Sequence, residues 1–186
     1  MDRLIETIKQ FAYSEVERTG MPIKMHVDLA YEVGKNLAKK HQADMAIVEA
    51  GTLLMDCMLG QAIQEGRLKD HTQMSLDKTN EILSSFEIDQ NVKENIRQCV
   101  AQHHGNSTFY SIESEICCNA DCYRFASVKG FNIATRFIPN MPHQDLIALL
   151  EGKLIEKENA LTLDICKEEL AKQIELLHNY VRYLKA

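Results

Sequence analysis

The chain has 186 residues, of which 45% are apolar and 26% are charged, and its formal net charge is −6. This length and composition are typical of one globular domain with its own core. The negative charge argues against an extended nucleic-acid surface, but it is compatible with a small phosphorylated ligand, because a bound cation can supply local positive charge.

The N-terminal part of the chain has apolar residues at helical spacing. It begins with MDRLIETIKQ, which is charged from the second residue and lacks the order of a secretory signal. Without an unbroken apolar run of membrane length, we expect a cytoplasmic protein with no membrane partner. Pro22 separates the first two predicted helices. The inward stripes of the first three helices are Leu4, Ile8, Phe11 and Ala12; His26, Ala30, Val33 and Leu37; and Val48, Gly51, Met55 and Met58.

The remaining two thirds of the chain continue the helical pattern. Gly60 and Gly66 bracket a looser segment, and the segment from about Ile112 to Val128 is apolar on most sides, which predicts a central buried helix. The acidic segment Glu156–Glu158 is predicted to be a solvated face. Other inward stripes are Leu76, Thr79, Leu83 and Phe86; Val92, Ile96, Cys99 and Val100; and Leu170, Ile174, Leu177, Val181 and Leu184. Strand-like alternation is absent, so we predict one compact, all-α, multi-helix domain over residues 1–186.

Six cysteines are scattered through the predicted helices, at positions 57, 99, 117, 118, 122 and 166. Their apolar surroundings favour buried free thiols in a reducing compartment. Cys117, Cys118 and Cys122 are close enough in sequence to suggest a thiolate zinc site. They lie within one predicted helix without a paired CxxC motif, however, so the buried-thiol interpretation is preferred.

Histidine and aspartate side chains interrupt the apolar faces of several helices. The residues concerned are His26, Asp56, His71, His103, His104 and Asp121. His103 is in line with Ile96, whereas His104 lies about 100° further round the helix, so we expect His103 to be the more buried. Singly, each can be a hydrogen-bonded core residue, a helix-end residue or a surface residue. Together they would leave many buried polar groups unsatisfied, and a divalent ion such as Mn, Fe, Zn, Co or Ni would satisfy them.

The order of these residues resembles the HD superfamily of metal-dependent phosphohydrolases. The pattern reads His26, LLMD ending at Asp56, His71, QHHG with His103 and His104, and NAD ending at Asp121. The segments EAGTLLMD, IESEICCNAD and VKGFNIATRF are also similar to those of the family, with Glu113 at the position of its glutamate and Asn119 at that of the first aspartate in its DAD motif. The resemblance covers nearly the whole chain and implies an HD-type helical domain.

The resemblance implies two metal positions. The first would use His26, Asp56 and Asp121, and the second would use Asp56, His71 and His103, with His104 as an alternative ligand. The implied catalytic residues are Asp56 and Asp121. The implied cofactor is a divalent ion (Mn, Fe, Ni, Co, Zn or Mg), and the implied reaction is hydrolysis of a small phosphorylated compound, with a nucleotide as the expected substrate.

Met55 departs from the family pattern, because it replaces the histidine of the signature His-Asp pair. A thioether is a poor ligand for the harder divalent ions. Gln61 also stands where the family commonly has a basic residue. The alternative is therefore a degenerate, non-catalytic HD domain that binds a ligand or a protein partner, and a purely structural helical protein is a third hypothesis. A homodimer is left open. We expect Met55→His to raise metal occupancy at the first position.

Overall fold

The computed structural model describes residues 1–137 and 141–185, and its regular elements are all helical. The helices are α1 (Asp2–Thr19), α2 (Lys24–His41), α3 (Met45–Leu54), α4 (Leu59–Gln64), α5 (His71–Ser84), α6 (Gln90–Ala101), α7 (Ile112–Ala126), α8 (Val128–Phe137), α9 (His143–Ala160) and α10 (Asp164–Lys185). A 3₁₀ turn, Leu68–Asp70, leads directly into α5. No strand occurs in the described ranges, which confirms the predicted all-α class.

Helix α7 is the centre of the fold, as its sequence predicted. It packs against α2, α3, α6, α8, α9 and α10. Its start is fixed by reciprocal hydrogen bonds in which each of Ser111 and Ser114 accepts the backbone N–H of the other. The helix ends at Ala126 because Ser127 is extended and its hydroxyl accepts the N–H of Gly130, so α8 starts as a separate helix.

The start of α3 is tied to two neighbouring helices. The side chain of Asp44 caps α3 by accepting the N–H groups of Ala46 and Ile47. One carboxylate oxygen of Glu113, on α7, accepts the N–H of Asp44, and the other accepts the side-chain amide of Asn95, on α6. Glu113 therefore sets where α3 begins relative to α6 and α7, and hence where the turn that follows α3 lies.

The segment Met45–Gln64 is long and apolar enough, by length and composition, to cross a membrane. In the fold it forms α3 and α4, separated by a turn over residues 55–58, and 72% of an 18-residue apolar stretch within it is buried inside the domain. Core helices of globular domains can have the same length and composition, and this segment is a core element of the domain.

Candidate metal centre

The turn between α3 and α4 presents Asp56 to the interior. The N–H of Cys57 donates to the carbonyl of Leu54, and the N–H of Leu59 donates to the carbonyl of Asp56. From α5, the hydroxyl of Ser75 accepts the N–H of Met58 at 3.2 Å. These bonds fix the turn, and they leave the carboxylate of Asp56 buried against side chains from the start of α5, from just after α6 and from α7.

Asp56, His71, His103 and His104 each offer a ligand atom, and these four atoms all lie within 4.8 Å of one another. We call these four residues the metal group. His71 lies at the first residue of α5, whereas His103 and His104 follow the end of α6. Nε2 of His71 and Nε2 of His103 each lie 3.4 Å from Oδ1 of Asp56. Three imidazoles and one carboxylate thus converge from three separate parts of the chain.

Two of these imidazoles are held in the tautomer that a metal ligand needs. Nδ1 of His71 lies 2.7 Å from the carbonyl of Leu68, and Nδ1 of His103 lies 2.7 Å from the carbonyl of Val100. A carbonyl only accepts hydrogen bonds, so each Nδ1 carries the proton. In the neutral rings, each Nε2 then presents a lone pair towards Asp56.

Buried polar atoms in the metal group lack hydrogen-bond partners, which favours a bound cation. Oδ1 of Asp56 and Nε2 of His103 are buried, and neither has a hydrogen-bond partner within the described part of the chain. Buried acceptors facing one another at 3.4 Å are unfavourable unless a proton or a cation lies between them. The mixture of imidazole and carboxylate ligands suits Mn, Fe, Co, Ni or Zn.

His104 is the most exposed member of the metal group, with 32% of its side chain exposed. Its Nε2 lies 2.9 Å from Nε2 of His71, and its Nδ1 lies 3.0 Å from Nζ of Lys157. His103 is fully buried, so the expectation that His103 is the more buried of the adjacent histidines is confirmed. A cleft of about 270 Å³ opens beside His104 and Glu156, and Asn106, Asn159 and Thr162 also line it.

Asp121 lies on the other side of Asp56, and two cationic side chains contact it. Its Oδ1 lies 2.6 Å from Nη2 of Arg124, and its Oδ2 lies 2.6 Å from Nζ of Lys157. The same Nη2 of Arg124 also hydrogen-bonds Oδ2 of Asp56. Burial by itself would raise the pKa values of both carboxyls, but Arg124, joined at Asp121 by Lys157, favours the charged forms and holds both pKa values below their ordinary ones.

His26 lies outside the metal group among the described residues. Its Nε2 lies 2.8 Å from the carbonyl of Gly130 and must donate to it, and its ring packs edge-on against Phe125 at 5.0 Å. Burial and the nearby Arg124 lower the pKa of His26 to about 4, so the ring is neutral at pH 7. The structure therefore brings together four of the six predicted ligands, connects Asp121 to them through Arg124, and bonds His26 to α8.

The sequence pattern did not single out Arg124 and Lys157, the two cationic residues of the site. Lys157 is only 1% exposed, so the predicted solvated face over Glu156–Glu158 is wrong at its middle residue. The signal was present, because Lys157 follows Leu150 and Leu154 on one face of α9. Arg124 likewise lies three residues after Asp121 on a helix predicted to be buried on most sides. Burial alone would lower the pKa of Lys157, but Asp121 and Glu156 raise it, so the side chain is charged.

All six cysteines are buried free thiols, as the preferred interpretation expected. The pKa of Cys122 is raised by its hydrogen bond with Cys118 and by burial, which disfavours the thiolate that zinc would need. None of the six cysteines is in the metal group.

Comparison with known proteins agrees with this architecture. No protein-family model matches the chain, and no curated protein matches it. Among solved structures, it is similar to a protein described as a predicted HD superfamily hydrolase from an uncultured Thermotogales bacterium, with 12% identity, a TM-score of 0.67, and 96% of this chain and 89% of that chain covered. It is also similar to Bacillus subtilis YpgQ, with 18% identity, a TM-score of 0.69, and 98% and 94% covered.

The structure of YpgQ in complex with ADP gives 20% identity and a TM-score of 0.68 over the same shares of the two chains. At these identities the likeness shows the fold. The chain therefore shares the fold of these structures, one of which is described as a predicted HD superfamily hydrolase, and it has a His/Asp cluster that could hold a metal ion.

Proposed function

We propose that this protein is a divalent-metal-dependent phosphohydrolase that acts on a small phosphorylated compound. The observation that carries the proposal is the metal group, in which one carboxylate and three imidazoles converge within 4.8 Å. Such a ligand set on an HD-type fold supports hydrolysis assisted by a bound cation.

The residues of the site have different roles in the proposed reaction. A divalent ion bound to the metal group would neutralise charge on a phosphate and make a water molecule a stronger nucleophile. Asp56 accepts the hydrogen bond of Arg124 through one oxygen and keeps the other towards His71 and His103. His104 borders the cleft, so an ion bound to the metal group would lie near a substrate held there.

The cleft supports a substrate that carries both a phosphate and a polar body. Its neutral polar side chains, Asn106, Asn159 and Thr162, can hydrogen-bond a sugar or a base. Lys153 forms an ion pair with Glu156 at 2.8 Å and is close enough to act on the charge of His71, so it is placed to attract a phosphate. Because YpgQ was crystallised with ADP, a nucleotide is the substrate class that we propose to test first.

The test is a hydrolysis screen with the metal-stripped, purified chain. We expect phosphate release from p-nitrophenyl phosphate or from nucleoside mono-, di- or triphosphates when Mn, Co, Ni, Zn or Mg is added, and loss of both activity and bound metal in His103→Ala. His41→Ala is the matched control, because His41 is exposed at the end of α2.

The alternative is a non-catalytic HD domain that binds a ligand or a protein partner. Two features favour this alternative, because each reduces the number of ligands available to a metal ion. Met55, which precedes Asp56 in the chain, is a buried thioether, and both oxygens of Asp121 contact cations. Metal binding that depends on His103, without turnover of any phosphorylated compound, would select this alternative. The purely structural hypothesis would require that no metal binds at all.

A further inference from the structure

The position that the resemblance assigns to the first metal ion is filled with side-chain charge. A single nitrogen, Nη2 of Arg124, contacts both Asp56 and Asp121, which is where an ion bridging the two carboxylates would lie. Nζ of Lys157 contacts the second oxygen of Asp121 at 2.6 Å. A metal ion needs its oxygen ligands at about 2.0–2.2 Å, so an ion between the two carboxylates would need the space that Nη2 of Arg124 fills.

Both cationic side chains are buried, so neither can move into solvent without rearrangement of the surrounding helices. Arg124 is 5% exposed and Lys157 is 1% exposed. Their two positive charges match the two negative charges of Asp56 and Asp121. A divalent ion between the same carboxylates would lie directly against these two buried cations, with only the partly exposed Glu156, 2.7 Å from Nζ of Lys157, as a further counter-charge, which is unfavourable.

The two remaining members of the first position are poor ligands as they stand. Nε2 of His26 donates to the carbonyl of Gly130, so only Nδ1 of that ring keeps a lone pair. Met55 contributes a thioether, which is a weak ligand for the metals that imidazole and carboxylate groups prefer. The residues at this position therefore disagree with the two-ion site that the resemblance implies.

We propose that Arg124 and Lys157 replace the first metal ion with fixed positive charge, so that the protein binds a single divalent ion, at the metal group. The count of one ion rests on the proposed function, whereas the replacement at Asp121 does not. A consequence is that restoring the imidazole at position 55 is insufficient, because the two cations still hold the carboxylates.

The experiment is a count of nickel(II) or manganese(II) bound per chain, measured by equilibrium dialysis and elemental analysis. We expect one ion in the wild type and one in Met55→His. In Met55→His/Arg124→Met/Lys157→Met, which removes both charges at nearly constant length, we expect two. The matched control is Met55→His/Arg124→Lys, which keeps both positive charges. We expect this variant to bind one ion.

Two ions in the wild type, or two in Met55→His, would overturn the proposal without relying on any variant that might misfold. One ion in a folded triple variant would overturn it too. No ion in the wild type and one in the triple variant would support the replacement and reject the proposed metal group, so the two hypotheses fail separately. Thermal unfolding gives a second measurement: nickel should raise the Tm of the triple variant by more than it raises the wild-type Tm, and an equal shift contradicts the proposal.

Discussion

At the scale of single residues, the stability of the fold depends on the pairing of buried Asp121 with cationic side chains. Asp121 is fully buried, and both of its oxygens contact cations at 2.6 Å, yet neither contact has the geometry of a hydrogen bond. The attraction is therefore mainly Coulombic. Removing one member of such a buried pair leaves the other charge without compensation, which costs more than the pair itself contributes.

Asp121→Asn tests this directly. It removes the negative charge but keeps the shape, so we expect the free energy of unfolding to fall by about 3–5 kcal/mol. Urea denaturation followed by circular dichroism measures it. Asp164→Asn is the control, because Asp164 pairs with Lys167 at 3.4 Å while its side chain is 90% exposed. Its loss should cost less than about 1 kcal/mol, and equal effects at the two sites would refute the interpretation.

The same carboxyl predicts how stability depends on pH. The pKa of Asp121 in the folded chain is held below its ordinary value, so the unfolded chain binds the proton more readily. The stabilisation is therefore complete above about pH 5 and is lost as the pH falls through the unfolded value near about 4 towards the folded one. Urea titrations at pH 7 and pH 3 should show a larger loss in the wild type than in Asp121→Asn. Parallel losses would mean that other groups carry the dependence.

At the scale of secondary-structure elements, close packing around α3 sets the position of the metal group. A Cβ atom added at Gly51 would lie 2.5 Å from Cβ of Cys99 on α6 and 2.7 Å from Sγ of Cys117 on α7. The first of these atoms is attached directly to backbone and cannot rotate away. Helix α3 can therefore approach α6 and α7 this closely only with glycine at this position, and Asp56 follows α3 by two residues.

Gly51→Ala is consequently expected to destabilise the fold by about 1–3 kcal/mol through overpacking. Gly152, an exposed residue of α9 where a new Cβ meets nothing within 4 Å, provides the control. Gly152→Ala should stabilise by up to about 1 kcal/mol, because alanine loses less conformational entropy in a helix. Thermal melts of both variants measure the difference, and a neutral Gly51→Ala would show that α3 can shift.

At the scale of the whole molecule, the metal group connects separate parts of the chain. Asp56 follows α3, His71 starts α5, and His103 and His104 follow α6. An ion bound to all four would cross-link these segments in the folded state only. Binding would therefore stabilise the fold by mass action.

We expect the metal-stripped protein to gain about 2.7 kcal/mol at an ion concentration of one hundred times Kd. For a chain of this size that gain corresponds to a rise in Tm of roughly 5–11 °C. Scanning calorimetry with and without manganese or nickel measures the shift. His103→Ala should show little or no shift, whereas His41→Ala should match the wild type. A wild-type Tm that does not respond to any of the divalent ions would contradict binding at the metal group.

The sequence by itself determined the helical class, the central helix α7 and the set of His and Asp residues from which the site is built. These features depend on local periodicity and on residue type, which can be read along one helix at a time. The register between His103 and His104 was also predictable, because a rotation of about 100° per residue places only one of them at the centre of a stripe.

Only the tertiary structure decided which charges meet. Arg124 and Asp56 are 68 residues apart, and Lys157 reaches Asp121 from a different helix. The sequence showed Arg124 and Lys157 as two cations among many, because no periodicity reports whether a charged side chain ends in solvent or between two carboxylates. His26 lies close enough to Asp56 and Asp121 for both carboxylates to act on the pKa of its ring, but its Nε2 donates to the carbonyl of Gly130, which α8 supplies. The packing of α7 and α9 thus places three internal salt bridges, Arg124–Asp56, Arg124–Asp121 and Lys157–Asp121, beside the metal group.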